Sequence, residues 1–74
     1  MSTTPVLSCR QVIRRLRKRG FREVRQTGAH KRFEHADGRA TTVSDHGGKD
    51  LAAPVLQQIA RDIGLTVAQF VHQK

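Results

Sequence analysis

Four glycines divide this chain into segments that each have room for only one or two short elements. Glycine is favoured where a helix ends in a left-handed residue and where two strands reverse direction, so these positions predict the ends of elements. The chain has 74 residues and one cysteine, which leaves room for one domain with a thin core and no internal disulfide. We therefore expect a single domain over residues 1–74, with residues 1–7 flexible. The dividing glycines are Gly20, Gly28, Gly38 and Gly64.

Two segments have apolar residues at helical spacing, one before Gly20 and one before Gly64. A hydroxyl residue followed three positions later by glutamine has the pattern of a capping box, and it precedes the first helix and a short last helix. The second helix has a proline that suits its first turn. These signals are Ser8 and Gln11 for a helix that begins at about Cys9, Pro54 for a helix that runs to about Ile63, and Thr66 and Gln69 for the last helix.

Three short strands are predicted between the first two helices. They are separated by Thr27-Gly28 and by Asp37-Gly38, and the second pair is of the kind that closes a two-residue hairpin. The predicted fold class is α+β. It is an α-β-β-β-α arrangement in which one face of a three-stranded antiparallel sheet packs on the helices, with a short C-terminal helix added. The strands are expected over residues 21–26, 30 to about 35, and 39–44.

The alternation within the second strand predicts which of its side chains face solvent. Phe33 is the inward residue, so His30 and Arg32 share the opposite face, and Lys31 points the same way as Phe33. A bulge near Gly28 would reverse this parity, because a shift of one residue moves every side chain to the other face.

The net charge of +8 is unevenly distributed along the chain. Residues 1–32 hold ten Lys or Arg and one acid, Glu23, whereas residues 33–74 hold four Lys or Arg and five acids. This asymmetry predicts a region that faces a polyanion, and a solvated basic face without a partner is the plainer alternative. Neither an apolar run of about 20 residues nor a signal-peptide pattern is found, so we expect a cytoplasmic protein without a membrane partner.

The predicted first helix carries much of this charge. Its apolar residues form one narrow stripe, and its other faces are basic. Like charges four residues apart, such as those of Arg10 and Arg14, each cost a few tenths of a kcal/mol. A helix that carries such repulsion is expected to meet an anionic partner, and an acidic protein is one candidate. The basic residues are Arg10, Arg14, Arg15, Arg17, Lys18 and Arg19.

His30 is the candidate catalytic residue, because it follows a glycine turn and begins a strand among cations. Histidine is the side chain best suited to proton transfer near neutral pH. Nearby cations would lower the pKa of its imidazole and hold a phosphate beside it. Metal-free RNA cleavage needs such a set: a base takes the proton of a ribose 2′-OH, the oxygen attacks the adjacent phosphorus, and cations stabilise the developing charge. The plainer alternative is an ordinary solvent-facing strand histidine.

A second group must complete the proton transfers, since one histidine cannot take and give a proton at the same time. His46, in the glycine-containing loop after the third strand, is a candidate for this step or for a phosphate contact, and a loop histidine without a role is the alternative. Lys31 and water are the other candidates. The residues expected to contact RNA are Arg25, Gly28, Lys31, Arg32, His46 and Lys49.

Neither a metal site nor a cofactor is predicted. A site built from His30, His35, His46 and Asp45 would have no recognised ligand spacing. Cys9 is interpreted as a small apolar residue of the first helix rather than a nucleophile. The chain has three Phe and no Trp or Tyr, so it lacks the aromatic residues with which some sheets stack on single strands.

The order and spacing of these pieces together resemble the HicA toxin family of toxin–antitoxin systems. In that family a Gly-Phe dipeptide precedes a strand that leads into Gly-Ser-His. Here Gly20-Phe21 is followed by Gly28-Ala29-His30, and the similarity covers residues from about 8 to 70. Further matching pieces are Phe33, His35, Asp37-Gly38, Thr42-Val43, His46, Lys49-Asp50-Leu51, Leu56, Ile59 and Gly64-Leu65-Thr66.

The resemblance implies a fold like that of double-stranded-RNA-binding domains and an endoribonuclease that cleaves mRNA and arrests growth. It also implies a HicB-type antitoxin, usually encoded alongside, that covers the active site. The family's catalytic histidine corresponds to His30. A non-catalytic basic module that binds RNA or DNA is the alternative function.

Three positions depart from the family pattern. Ala29 stands where a serine is usual, so a hydroxyl beside the histidine is missing, and this difference is the one expected to lower activity. Ser44 replaces a usual proline and Pro54 a usual glycine, and both are interpreted as structural.

Overall fold

The order of helices and strands follows the turn and cap signals of the sequence. A computed structural model describes residues 7–45 and 50–72. Three helices and five strands lie within these ranges, and two of the strands are only two residues long. Their bounds are β1 Leu7–Ser8, α1 Cys9–Lys18, β2 Arg22–Thr27, β3 His30–Glu34, β4 Ala40–Ser44, β5 Asp50–Leu51, α2 Ala53–Asp62 and α3 Val67–Val71.

The helices begin where the sequence has capping residues. At α1, the Ser8 hydroxyl accepts a hydrogen bond from the Gln11 backbone N–H, and the Gln11 side chain accepts one from the Ser8 backbone N–H. These reciprocal bonds satisfy two N–H groups that a helix start would leave without partners. Thr66 and Gln69 form the same arrangement at α3, and Pro54 lies in the first turn of α2. All three predicted helix starts are confirmed.

A tight turn joins β2 to β3. Thr27 pairs with His30, so the turn consists of Gly28 and Ala29. The predicted turn at Thr27-Gly28 is therefore wrong by one residue. Gly28 has a φ of 57°, in the left-handed region, whereas Ala29 has no positive φ. Glycine is needed at the first turn position because other residues rarely adopt this conformation.

The turn between β3 and β4 has three residues, 36–38, rather than the predicted two. The His35 N–H donates to the Arg39 carbonyl at 2.9 Å and closes the loop. Gly38 has a φ of 100°, which suits the left-handed last position of a three-residue hairpin loop. The Asp37 carboxylate accepts bonds from the backbone N–H and the Nε of Arg39, at 3.0 and 2.7 Å. These bonds stabilise the longer loop.

β1 and β5 form a two-stranded antiparallel ribbon that the sequence pattern did not predict. Leu7 pairs with Leu51, and both side chains are buried. Leu7, the last residue of the segment expected to be flexible, thus belongs to a strand, and residues 1–6 lie outside the described part of the chain. A strand of two residues has no alternation for a sequence analysis to detect.

The helices cover one face of the β2-β3-β4 sheet, and the core lies between these two layers. Thr41 is buried among the apolar residues, and its Oγ1 donates to Asp62 Oδ2 at 3.0 Å, which joins β4 to α2. The predicted α+β class and α-β-β-β-α order are confirmed. Within the described ranges, no helix is long and apolar enough to cross a membrane. The largest core side chains are Phe21, Phe33, Phe70, Leu16, Leu56, Ile59 and Ile63.

Candidate active site

His30 begins β3 on the face of the sheet that the helices leave open. Phe33 is fully buried on the helix side, whereas His30 and Arg32 are exposed, as the alternation predicts. Among the described residues, the His30 imidazole has no hydrogen-bond partner. Both ring nitrogens are therefore available to a bound molecule.

Arg25 and Arg32 lie directly opposite each other on this same face. Such cross-strand neighbours have Cβ atoms about 5 Å apart, and His30 is two residues, about 7 Å, along β3 from Arg32. Arg32 Nε is 3.3 Å from Glu34 Oε2, whereas Arg25 forms no ion pair with the described residues. Like charges directly opposite destabilise a strand pair, so an anion bound between the two guanidinium groups would offset their repulsion.

A β-bulge in β2 allows Arg25 to keep this position. The strand register shifts between Glu23 and Arg25, so Val24 is the extra residue and its side chain is 49% exposed. Without the extra residue, the register that the hairpin turn fixes for Arg25 would turn Phe21 away from the core. The bulge therefore reconciles a buried Phe21 with an Arg25 on the His30 face. A bulge near Gly28, which would have reversed the parity of His30, is not found in this hairpin.

Ser44 is the direct neighbour of His30 on β4, and it is absent from the site residues predicted from the sequence. The Asp45 N–H donates to the Ala29 carbonyl at 2.6 Å, so the His30–Ser44 pair that it flanks is of the non-hydrogen-bonded kind. In such a pair the Cα atoms are only about 4.5 Å apart and the side chains approach closely. A hydroxyl is thus paired with the histidine although residue 29 has none. The sequence shows no signal for this neighbour, because it depends on strand register.

Lys31 lies on the other face of β3. Its Nζ is 3.6 Å from Asp45 Oδ2, and both side chains are partly buried. Burial raises the pKa of the Cys9 thiol, the Asp45 carboxylate raises it further by charge and by a hydrogen bond, and Lys31 opposes the rise. Cys9 is therefore a protonated packing residue, in agreement with its interpretation from sequence. Lys31 connects β3 to the end of β4 and does not join the arginines beside His30.

Gly28 is exposed in the turn that leads into His30. A Cβ at this position would meet no atom within 4 Å, so the turn needs glycine for its backbone conformation and not for space. The open turn leaves the backbone accessible beside the histidine.

His35, the other histidine candidate among the described residues, is not brought to this face. His35 belongs to the β3–β4 turn, where its Nδ1 accepts from the Asp37 N–H at 3.0 Å and its ring meets the Phe21 ring edge-on at 5.0 Å. His46 and Lys49 lie outside the described residues. Within residues 7–45 and 50–72, no group of three or more His, Cys, Asp or Glu side chains is arranged to hold a metal ion.

The chain matches a protein-family model over most of its length. The matching model is described as the HicA toxin of bacterial toxin–antitoxin systems, and it covers residues 9–65 of the 74-residue chain. The match therefore includes α1, the whole three-stranded sheet and α2. No curated protein matches the chain significantly.

Proposed function

Because this chain belongs to the HicA toxin family and is thus the toxin of a toxin–antitoxin system, we propose that it is an endoribonuclease that cleaves mRNA. The proposed reaction is metal-independent and uses His30 for proton transfer. Since the substrate is mRNA, the proposed place of action is the cytoplasm.

The observation that supports this proposal is the shared face of His30, Arg25 and Arg32. The His30 imidazole is suited to proton transfer and has no hydrogen-bond partner among the described residues. Arg25 and Arg32 repel each other, and a bound phosphate would relieve this repulsion. All three Phe side chains are buried, so bases have no aromatic platform and binding would rely on phosphate contacts.

In the proposed reaction, His30 accepts the proton of a ribose 2′-OH, and the oxygen attacks the adjacent phosphorus. The bond from phosphorus to the 5′ oxygen of the next nucleotide breaks. This step leaves a 2′,3′-cyclic phosphate on one product and, once the departing oxygen has gained a proton, a 5′-OH on the other. Arg25 and Arg32 would stabilise the negative charge that develops on the phosphate oxygens.

The departing oxygen needs a proton from a second group. Lys31 is engaged by Asp45 on the other face of the sheet, so water and His46 are the better candidates. The Gly28 backbone N–H, His46 and Lys49 are proposed to add phosphate contacts around the reacting nucleotide. The proposed partner protein is a HicB-type antitoxin that covers the His30 face and so excludes mRNA.

Expression of the chain in a bacterium tests this function. The chain is expected to arrest growth and to fragment cellular mRNA, and His30→Ala is expected to abolish both effects. His72→Ala is the matched control, because His72 is an exposed histidine at the C-terminal end of α3. Equal growth arrest by the chain and by His30→Ala would contradict the role of His30.

A basic module that binds RNA or DNA without cleaving it is the second candidate. It is favoured by Ala29, which leaves the position before the histidine without a hydroxyl. This function predicts binding with a steep salt dependence and no cleavage products on a gel. Growth arrest with intact mRNA would favour it over the nuclease.

A further inference from the structure

A second basic surface lies on α1, on the side of the helix that faces away from the sheet. Four cations surround a shallow depression of about 480 Å³, and Ile13 contributes to its lining. Arginine and lysine have long aliphatic stems, so the depression combines an apolar floor with a charged rim. We call this region the α1 surface, and it consists of Arg10, Ile13, Arg14, Arg17 and Lys18.

The cations of the α1 surface are not neutralised within the described residues. None of the four side chains takes part in a hydrogen bond or an ion pair there, and α1 itself contains no acidic residue. The ion pairs of β3, the β3–β4 turn and Asp45 involve none of these four side chains. Arg15, by contrast, is used internally, because its Nη2 donates to the Val71 carbonyl at 3.1 Å. The repulsion along the exposed side of α1 therefore persists in the isolated chain.

The α1 surface and the His30 face lie on opposite sides of the molecule. Val12 and Leu16 of α1 are buried in the core, on the side of the sheet where Phe33 points. His30 is on the other side of β3. A molecule that occupies the α1 surface therefore leaves the His30 face open.

We propose that the α1 surface is a docking site for an acidic, amphipathic segment of a partner protein. A single apolar side chain of that segment would rest on Ile13, and flanking carboxylates would pair with the arginines in bidentate fashion. A phosphate chain would use the charged rim but has no group for the apolar floor. The identity of the partner as the antitoxin rests on the proposed function, whereas the chemistry of the surface does not. Such an antitoxin would contact the α1 surface in addition to covering the His30 face.

An NMR titration of the ¹⁵N-labelled full chain tests the proposal with two probes. The first is a helical peptide that has one leucine flanked by glutamates three and four positions away. The second is a single-stranded RNA made non-cleavable by 2′-deoxyribose. The peptide is expected to shift the backbone signals of α1, and the RNA those of β2 and β3.

Two charge-reversed variants separate the surfaces. Arg14→Glu with Arg17→Glu is expected to weaken peptide binding by about tenfold or more and to change RNA binding by less than about threefold. Arg25→Glu with Arg32→Glu is expected to do the opposite. A glutamate at position 14 would be four residues before Lys18, an arrangement that stabilises a helix, so the first variant is expected to remain folded.

Three results would overturn the proposal. The first is that the peptide does not bind the unaltered chain, and the second is that the α1 variant binds the peptide as well as the unaltered chain does. The third is that the α1 variant loses as much affinity for RNA as it loses for the peptide. The last result would make the α1 surface a nucleic-acid surface. The cleavage of an all-ribose RNA by the same samples is a separate measurement: its absence would contradict the proposed function and leave the peptide result intact.

Discussion

Ser44 and His30 are paired across β3 and β4 in the arrangement that brings side chains closest together. Ala29 lacks the hydroxyl that is usual before the histidine in the HicA family, and Ser44 has one where a proline is usual. The hydroxyl is thus absent from the residue before the histidine and present on the residue across from it. We infer that Ser44 is a positioning residue, which would orient a phosphate bound beside the imidazole.

Replacement of Ser44 by alanine tests this role. We expect Ser44→Ala to lower kcat for RNA cleavage by about three- to tenfold, with KM nearly unchanged, because the hydrogen bond that Ser44 would form with the reacting phosphate in the transition state is lost. Ser44→Thr is expected to restore most of the activity. Thr42→Ala is the matched control, because Thr42 lies on β4 with Ser44 but pairs with Arg32 and not with His30. Equal losses in Ser44→Ala and Thr42→Ala would contradict a specific role for Ser44.

The ionisation of Asp37 makes the stability of the β3–β4 turn depend on pH. The Arg39 backbone N–H, followed by the Arg39 side chain and His35, lowers the pKa of the Asp37 carboxyl. A group whose folded pKa is lowered stabilises the fold above its ordinary pKa, and this stabilisation is lost as pH falls through the folded pKa. We expect Asp37→Asn to lower Tm at neutral pH and the difference from the unaltered chain to shrink below about pH 4. Thermal unfolding between neutral and acidic pH measures this, and a constant difference would contradict it.

At the scale of the elements, the β2–β3 hairpin depends on its turn and its bulge together. The turn fixes Arg25 opposite Arg32, and the extra residue Val24 lets Phe21 enter the core. Bulges often lie beside functional sites, where they re-aim a side chain. The turn and the bulge therefore determine on which face of the sheet Arg25 lies.

Exchange of Arg25 and Gln26 tests the importance of this face. The double variant Arg25→Gln/Gln26→Arg keeps the composition and charge but moves the guanidinium group to the other side of β2. We expect its RNA affinity to fall as far as that of Arg25→Gln alone, by about three- to tenfold, because one charge-assisted phosphate contact is lost. Binding is measured by fluorescence anisotropy with a labelled RNA. An affinity equal to that of the unaltered chain would indicate that only the overall charge matters.

At the scale of the whole molecule, local sequence signals predicted the helices and the three strands of the sheet, but they did not predict the pairing of segments that are distant in sequence. Caps and glycines gave the helices and the order of the strands, because these signals act within a few residues. The β1–β5 ribbon was missed because it joins residues more than 40 positions apart through only two pairs. The neighbours of His30 depend in the same way on register: alternation placed Arg32 correctly, whereas Ser44 required the pairing of β3 with β4.

The molecule also separates its charge between two sides. The cations of the sheet face surround His30, and those of α1 point away from it. The charge asymmetry of the sequence predicts a single basic region, whereas the fold divides these cations between two surfaces.

Cleavage of a defined RNA by the purified chain tests the central claim most directly. The chain, in the presence of a metal chelator, is incubated with an all-ribose oligonucleotide and with the same sequence made of 2′-deoxyribose. We expect only the ribose form to be cut, with 2′,3′-cyclic phosphate and 5′-OH ends, and we expect the folded variant His30→Ala to leave it intact. Cleavage by His30→Ala at the rate of the unaltered chain, or cleavage of the 2′-deoxyribose form, would contradict the account.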